Sequence, residues 1–273
     1  MSTARPPEGA RTAAREGEGS PVSSAGEVLL AGRGIRRVWG GLVALDDVSI
    51  EVRRGEVHAL IGTNGAGKST LVNILAGEVP PSAGRIELLG HDVGTWSQPR
   101  RARAGLARSY QRTTIFPGFS VLENCRLCAQ AKHPRPWAIW SAASRCEVSL
   151  AAARLAATRV GLGMDLDRPA GLLSHGGRRQ LEIGMCLATE PQVLLLDEPL
   201  AGMGAEETDR MLALIDELRP DHAILLVEHD MDAVFRIADR ITVMIDGQVI
   251  ASGLPDAIRS SPEVQTAYLG EQA

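Results

Sequence analysis

A run of glycines followed by a lysine and a serine has the composition and spacing of a phosphate-binding loop. It reads Gly62-x-x-x-x-Gly67-Lys68-Ser69, where x is any residue. Glycines let the backbone curl so that successive N–H groups point into one concavity, and a helix starting there adds the positive end of its dipole. Lys68 can reach the β- and γ-phosphates of a nucleotide, and the Ser69 hydroxyl can bind Mg²⁺. The predicted nucleotide-binding residues of this loop are Gly62, Thr63, Asn64, Gly65, Ala66, Gly67, Lys68, Ser69 and Thr70.

The lysine at position 68 adds weight to this interpretation. Of the 29 basic residues, only Lys68 and Lys132 are lysines. The chain uses arginine wherever a generic cation suffices, whereas a tight glycine turn favours the compact ammonium over the wide planar fork of arginine. A ligand-binding loop is therefore favoured over a glycine-rich turn without a ligand.

Two carboxylates follow an apolar run later in the chain. Asp197 and Glu198 come directly after residues 193–196, Val-Leu-Leu-Leu. Ligands of open α/β sheets bind at the carboxyl ends of the strands. We predict that Asp197 holds Mg²⁺ and that Glu198 orients and deprotonates an attacking water as a general base. Such a pair is by itself often only a strand leaving the core, but the phosphate loop upstream favours the site.

Short apolar runs that alternate with helical segments must position these residues. This alternation predicts an α/β fold with a parallel sheet buried on both faces. A mostly helical block over residues 99–190 is predicted to interrupt it. The predicted strands cover residues 28–38, 43–52, 56–61, 85–89, 193–196, 223–227, 241–245 and 249–251. One predicted helix follows Thr70 and extends to about residue 76, and the other predicted helices cover residues 122–131, 145–160, 178–189, 205–218 and 231–238.

Composition excludes several classes of protein. The 273 residues are 44% hydrophobic and carry a formal charge of −4, which argues against a general nucleic-acid binder. No apolar run approaches the roughly 18–20 residues of a membrane span, and the N-terminus lacks the apolar segment of a secretory signal. Residues 1–26 are predicted to be a disordered tail. The lone pair Cys125 and Cys128 favours buried thiols over a metal or redox site.

Several further segments complete a recognisable order of motifs. Trp39 precedes the loop, Gln111 follows it, Leu173 introduces Ser174-His-Gly-Gly177, and His229 follows a later strand. Taken singly, each of these residues has an ordinary interpretation. Trp39 is typical of packing in the core or at its rim, and Gln111 is typical of an exposed surface. Ser174 is typical of a helix N-cap and His229 of a strand end. Their joint order resembles the ATP-binding subunits of ABC transporters, over about residues 28–270.

The resemblance implies a P-loop NTPase (RecA-like) core. Its parallel sheet is accompanied by an antiparallel β subdomain and an inserted α-helical subdomain. On this basis the ATPase domain covers residues 27–270, with the helical subdomain at about 112–185.

The resemblance also implies roles for residues around ATP and Mg²⁺. Trp39 stacks on adenine, and the metal is bound by Ser69, Gln111 and Asp197. Catalysis involves Glu198, Gln111 and His229. Two such chains face each other head to tail, so that Ser174 and Gly176 contact the γ-phosphate bound by the partner chain.

Three departures from the family pattern are visible. Thr63 replaces a proline that is common in the phosphate loop. The backbone of the loop can still bind phosphate with threonine there. His175 and Gly177-Arg178 replace parts of the signature usually written LSGGQ, although the serine and one glycine remain. Met203 stands where the D-loop, residues 200–203, usually has aspartate, so communication between two ATP sites is expected to differ.

The residues around Gln111, in the signature segment and around His229 are similar to those in the ATPases of bacterial branched-chain amino-acid importers. Urea and amide importers are close alternatives; an exporter ATPase, or a soluble ABC ATPase acting on ribosomes or DNA, is less favoured. The implied partners are integral-membrane permease subunits, a second ATPase forming a homo- or heterodimer and, indirectly, an external substrate-binding protein, with no nucleic acid. The implied location is the cytoplasmic face of the inner (plasma) membrane.

Three features of the mostly helical block, residues 99–190, have more than one interpretation. Residues 113–121 are expected to line the groove for the permease, the alternative being that they pack on their own subdomain. Trp137 and Trp140 are predicted to pack in that subdomain's core. The five arginines of residues 100–112 are predicted to form a solvated helix face rather than a nucleic-acid patch.

Overall fold

The computed structural model describes residues 26–111, 114–132 and 146–269, with side chains up to residue 266. The predicted tail, apart from Gly26, and both Trp137 and Trp140 lie outside these residues. In chain order the strands are β1 (Val28–Trp39), β2 (Leu42–Arg53), β3 (Glu56–Gly62), β4 (Ala83–Leu88), β5 (His91–Asp92), β6 (Leu106–Arg108), β7 (Val193–Asp197), β8 (Ala223–Val227), β9 (Arg240–Ile245) and β10 (Gln248–Gly253).

The α-helices connect and cover these strands. They are α1 (Lys68–Ala76), α2 (Gln98–Arg103), α3 (Val121–Ala131), α4 (Glu147–Arg159), α5 (His175–Leu187), α6 (Ala205–Leu218), α7 (Met231–Ile237), α8 (Pro255–Arg259) and α9 (Pro262–Leu269). None of the helices in the described ranges combines the length and the apolar composition needed to cross a membrane.

The central sheet has the order β10-β9-β3-β8-β7-β6 and is parallel except for β10. Alternate residues of β7 enter different apolar clusters: Leu195 packs with α1 and the second sheet, and Leu194 packs with α3 to α6. Because both faces are covered, a continuous apolar run is what this strand requires. The predicted parallel sheet buried on both faces is confirmed.

A second sheet of order β2-β1-β4-β5 is antiparallel and packs over α1. On the opposite side of the central sheet, α3, α4 and α5 pack against one another. These features agree with the predicted α/β architecture, while the division into a domain at 27–270 and a helical subdomain at about 112–185 remains a proposal.

The prediction of a solvated helix face at residues 100–112 holds for Arg100 and Arg103, which are exposed on α2, but it is wrong for Arg101 and Arg108, whose side chains are buried. After the short helix α2, residues Leu106–Arg108 form the edge strand of the central sheet. Arg101 is only 1% exposed and donates to the carbonyls of Ile74 and Leu75, both at 2.7 Å. The last carbonyls of a helix lack intrahelical partners, so the end of α1 provides acceptors for this buried guanidinium.

The cysteine pair lies where α3 meets α5. Cys125 is fully buried, which confirms the predicted buried thiol, and Cys128 is partly buried. Burial raises the pKa of Cys125 to about 12 and that of Cys128 to about 11. Both thiols are therefore protonated near neutral pH and are poor nucleophiles.

Candidate functional site

Four neighbouring parallel strands deliver the predicted motifs to one edge of the central sheet. The phosphate loop follows β3, His229 follows β8, Glu198 follows β7, and Gln111 follows β6. Carboxyl ends of parallel strands lie at the same edge, so the topology brings together residues that are far apart in sequence. The helical prediction for this part of the chain missed β6, and β6 is the element that places Gln111 here.

The phosphate loop is held in a conformation that depends on glycine. A Cβ on Gly62 would lie 2.3 Å from the Met244 carbonyl oxygen on β9. Gly67 has φ 97° and precedes α1, and a Cβ there would lie 2.8 Å from the Ala44 carbonyl oxygen. The loop is also tied to the β9–β10 turn, because Gly247 donates its N–H to the Ala66 carbonyl at 3.1 Å. Neither close approach leaves room for a side chain.

Lys68 opens α1 and points back across the loop. Its ammonium donates to the carbonyl oxygens of Gly62 at 2.6 Å and Thr63 at 3.0 Å. Burial lowers the pKa of Lys68, while Glu198 and Asp197 act in the opposite direction. The ammonium is thus a partly desolvated cation, and an anionic ligand such as a phosphate would stabilise it further.

Glu198 is the meeting point of the predicted catalytic residues. Gln111 Nε2 donates to Glu198 Oε2 at 3.0 Å, and His229 Nδ1 lies 4.0 Å from Glu198 Oε1. Glu198 has φ 50°, a left-handed conformation that is uncommon for a residue with a side chain. Backbone strain of this kind is characteristic of functional sites.

Glu228 ties the strand end of β8 to the D-loop position. Its side chain is 1% exposed; Oε1 accepts from the Leu200 N–H at 2.8 Å, and Oε2 accepts from the His229 N–H at 3.3 Å. Burial raises the pKa of Glu228, and the negative charge of Glu198 acts in the same direction. Sequence reasoning assigned no role to this residue, since a carboxylate before a histidine gives no signal by itself.

Asp197 ends β7 and contacts an arginine that was predicted to be solvated. Arg108 Nη2 donates to Asp197 Oδ2 at 3.0 Å. Within the described part of the chain, no cluster of three or more His, Cys, Asp and Glu side chains could hold a metal alone. The oxygens of Ser69, Gln111 and Asp197 nevertheless fit Mg²⁺, which usually takes one or two protein carboxylates and completes its shell with phosphate oxygens and water.

A cavity of about 640 Å³ combines most of the predicted ATP-binding residues. This volume lies within the range of small-molecule sites. Trp39 stands at its rim with 48% of its surface exposed, and the Arg37 guanidinium lies 3.8 Å from the centre of its ring. The lining residues are Trp39, Leu42, Val43, Ala44, Asn64, Gly65, Ala66, Gly67, Lys68, Ser69, Thr70, Gln111, Glu198, Asp246 and Gly247.

Asp246 and Gly247 are lining residues that sequence reasoning missed. They form the two-residue turn between β9 and β10, with φ 46° and 79°. An Asp-Gly pair between two short apolar runs is a strong signal for such a hairpin turn. That signal was present in the sequence, but only the fold places the turn against the phosphate loop.

Ser174 and Gly176 lie in a different pocket, of about 340 Å³, which they share with Met203 and Glu207. Ser174 caps α5, its Oγ accepting from the Gly177 N–H at 3.0 Å. The Gly176 N–H faces Glu207 Oε1 at 3.3 Å. The signature residues therefore do not line the cavity that contains Lys68 of the same chain.

Comparisons with known proteins agree with this geometry. The family model described as "ABC transporter" matches residues 45–201, and one described as "Branched-chain amino acid ATP-binding cassette transporter" matches residues 248–273. The high-affinity branched-chain amino acid transport ATP-binding protein LivG of Salmonella typhimurium is 41% identical over 251 residues, 89% of this chain and 98% of LivG. The similarly titled BraF of Pseudomonas aeruginosa is 38% identical over 253 residues, again covering 89% and 98%.

Solved structures show the same relationship. The ADP conformation of MJ1267, described as an ATP-binding cassette of an ABC transporter, superposes with a TM-score of 0.80 at 30% identity, covering 89% of this chain and 99% of MJ1267. The first family model spans more than half of the chain, and these relatives are covered almost end to end. The chain therefore belongs to the ABC transporter family as an ATP-binding protein of the kind that hydrolyses ATP.

Proposed function

We propose that this chain is the ATP-hydrolysing subunit that powers an importer of branched-chain amino acids. The observation that carries the ATPase role is the convergence of Lys68, Gln111, Glu198 and His229 at one edge of the central sheet. The cargo class is supported by the names of the relatives and by the family match at residues 248–273.

In the proposed reaction, the loop amides and the Lys68 ammonium bind the phosphates, and Glu198 takes a proton from the attacking water. Gln111 already hydrogen-bonds Glu198, so it can orient both that carboxylate and the water. His229, 4.0 Å from Glu198, is proposed to contact the γ-phosphate after a small side-chain movement, because 65% of its side chain is exposed. Mg²⁺, held by Ser69, Gln111 and Asp197, supplies charge neutralisation at the phosphates when bound.

The signature pocket supports a two-chain arrangement. Since Ser174 and Gly176 stand outside the cavity that contains Lys68, their proposed contact with a γ-phosphate requires ATP bound to a second ATPase chain. An N-terminal helix end such as that of α5 favours anions. ATP would then hold two chains together, and hydrolysis would release them.

The loop after Gln111 is proposed to face the membrane permease. Phe116 and Phe119 stack on each other at 5.6 Å and are 50% and 45% exposed. Asn124 anchors this loop by exchanging hydrogen bonds with the Phe116 backbone at 2.8 and 3.1 Å. An exposed aromatic pair on a loop anchored in this way suits a protein interface. Together with the proposed importer function, it supports a peripheral position at the cytoplasmic face of the membrane, with an external binding protein delivering the solute.

Uptake in a strain lacking this chain tests the proposal. Loss of labelled leucine uptake, restored by the wild-type chain but not by Lys68→Ala, is the expected result. Loss of urea uptake with normal leucine uptake would show that the cargo assignment is wrong and leave the ATPase assignment intact. Purified wild-type protein that fails to bind and hydrolyse ATP would contradict the whole proposal.

A further inference from the structure

Arg108 is buried beside the site, and its guanidinium joins two carboxylates. Nη2 donates to Asp197 Oδ2 at 3.0 Å, and Nη1 donates to Glu78 Oε1 at 2.8 Å. Nη1 also donates to Asn73 Oδ1, on α1, at 2.6 Å. Only 7% of the Arg108 side chain is exposed. Charge-assisted bonds from a planar fork hold their partners in a defined geometry, so Arg108 restrains Asp197.

The same network reaches a second cavity, of about 230 Å³, between α5 and the edge strand β6. Tyr110 donates its hydroxyl to Glu78 Oε1 at 2.9 Å, and its ring centre lies 4.8 Å from the Arg108 guanidinium. Arg108, Tyr110 and Gln98 all line this cavity. A group that enters the cavity therefore meets Arg108, which contacts Asp197 directly, and Tyr110, which contacts Arg108.

We propose that Arg108 is a positioning residue for Asp197, and that Glu78 and Tyr110 link this contact to the cavity. The inference rests on the proposed function, because it concerns Asp197 as a ligand of the Mg²⁺ that accompanies ATP. Arg108 engages Oδ2 and leaves Oδ1 for the metal. Hydrogen-bond partners that orient a metal-binding carboxylate typically change metal affinity 10–100-fold when they are removed.

Arg108→Lys separates charge from geometry. Lysine keeps the positive charge but lacks the fork that holds Asp197 and Glu78 together. The experiment titrates the full chain with a fluorescent ATP analogue, once in excess Mg²⁺ and once in EDTA, and compares the two dissociation constants. We expect Arg108→Lys to weaken binding in Mg²⁺ by about tenfold and to change binding in EDTA by less than about twofold.

Arg101→Lys is the matched control. Arg101 is a buried arginine of the same segment, but it donates to the backbone carbonyls of Ile74, Leu75 and Val93. The variant Arg101→Lys should lower the melting temperature of the chain without changing the ratio of the dissociation constants in Mg²⁺ and in EDTA. An unchanged ratio in Arg108→Lys, or an equal change in Arg101→Lys, would overturn the positioning role. A wild-type chain that binds no nucleotide under either condition refutes the proposed function itself, and with it this inference.

Tyr110→Phe tests the link to the cavity. It keeps the ring near Arg108 and removes the hydroxyl bond to Glu78. The quantity compared is the factor by which Mg²⁺ tightens binding, that is, the dissociation constant in EDTA divided by that in Mg²⁺. We expect Tyr110→Phe to lower this factor by about threefold in the wild-type background and to leave it unchanged in Arg108→Lys, because the two residues act in series. Equal effects in both backgrounds would refute the link. Should Arg108→Lys fail to fold, Glu78→Gln removes the other carboxylate from the fork, and an unchanged ratio there would overturn the proposal.

Discussion

Gln111 and His229 approach one residue, Glu198, from two different strand ends. A general base works only when the proton it takes lies within hydrogen-bond reach, and Gln111 restrains Glu198 at that position. Glu198 directly follows the apolar strand β7, has a left-handed backbone with φ 50°, and its side chain accepts the hydrogen bond from Gln111.

Glu198→Gln should retain ATP binding and lose hydrolysis. The amide keeps the shape and one acceptor for Gln111 but has little capacity to accept a proton from water, so turnover should fall by at least about a hundredfold. ATP affinity and phosphate release are measured on the same preparation. Glu206→Gln is a suitable control because that carboxylate is 88% exposed, in the first turn of α6. Turnover near the wild-type rate in Glu198→Gln would show that the base is assigned wrongly.

His222 should make the fold sensitive to acid. Burial lowers the pKa of His222, although its Nδ1 donates to the Leu218 carbonyl at 2.7 Å and thereby opposes the shift. As the pH falls below the ordinary pKa of about 6.5, the unfolded chain takes up a proton that the folded chain resists, so stability is lost. The loss is complete once the pH is below the lowered pKa of the folded state.

His222→Asn, whose amide can still donate to Leu218, should therefore lose less free energy of unfolding between about pH 7.5 and about pH 5.5 than the wild type. Urea unfolding at both pH values provides the measurement, and the exposed His91→Asn is the control. The same loss in His222→Asn and the wild type would contradict the prediction.

At the scale of elements, most strands and helices follow from apolar runs and glycines. The helix α6 (Ala205–Leu218) and the strand β8 (Ala223–Val227) have their predicted limits. The helix α5 begins at His175, directly after its Ser174 cap and three residues before the predicted start at residue 178, so it includes Gly176 and Gly177. Tertiary packing overrides the low helix propensity of glycine there.

The edge strand β6 could not be predicted, because Leu106–Arg108 has only three residues. Its strand conformation comes from pairing with β7, a partner far away in sequence. The same reason applies to Arg101 and Arg108. Arginine is normally exposed, and only the carbonyls and carboxylates brought by other elements make burial favourable.

Gly62→Ala should separate two strands of the central sheet. Gly62 and Met244 are register partners of β3 and β9, and the added methyl would stand 2.3 Å from the Met244 carbonyl oxygen. Overpacking of this kind costs about 1–3 kcal/mol. We expect a lower free energy of unfolding in urea together with weaker ATP binding.

Gly118→Ala is the control, since a Cβ there has no neighbour within 4 Å. It should change stability by less than about 0.5 kcal/mol. Equal stability of Gly62→Ala and the wild type would show that β3 and β9 tolerate the displacement, contrary to the packing argument.

At the level of the whole molecule, Lys68, Gln111 and Glu198 line one pocket, and Ser174 and Gly176 of the same chain line another. The motifs and their order could be identified from the sequence alone, but their separation depends on where the strand edge and the start of α5 lie in space. In the proposed head-to-tail arrangement, a complete ATP site requires two chains, and two-fold symmetry forms two such sites at once. This arrangement makes a specific prediction about mixtures of defective chains.

Chains carrying Lys68→Ala and chains carrying Ser174→Ala should each be nearly inactive alone and partly active when mixed. Half of randomly formed pairs contain one chain of each kind. In such a pair both defects fall on one ATP site, and the other site is intact. The mixture should therefore reach about a quarter of the wild-type rate.

The mixing is done at concentrations where light scattering shows ATP-dependent pairs of Glu198→Gln. Ser174→Ala also removes the cap of α5, at a cost of about 1 kcal/mol, so its melting temperature is compared with that of Ser120→Ala, which removes the cap of α3. Mixtures no more active than their components, under conditions where pairs form, would place both roles within one chain and rule out the head-to-tail arrangement.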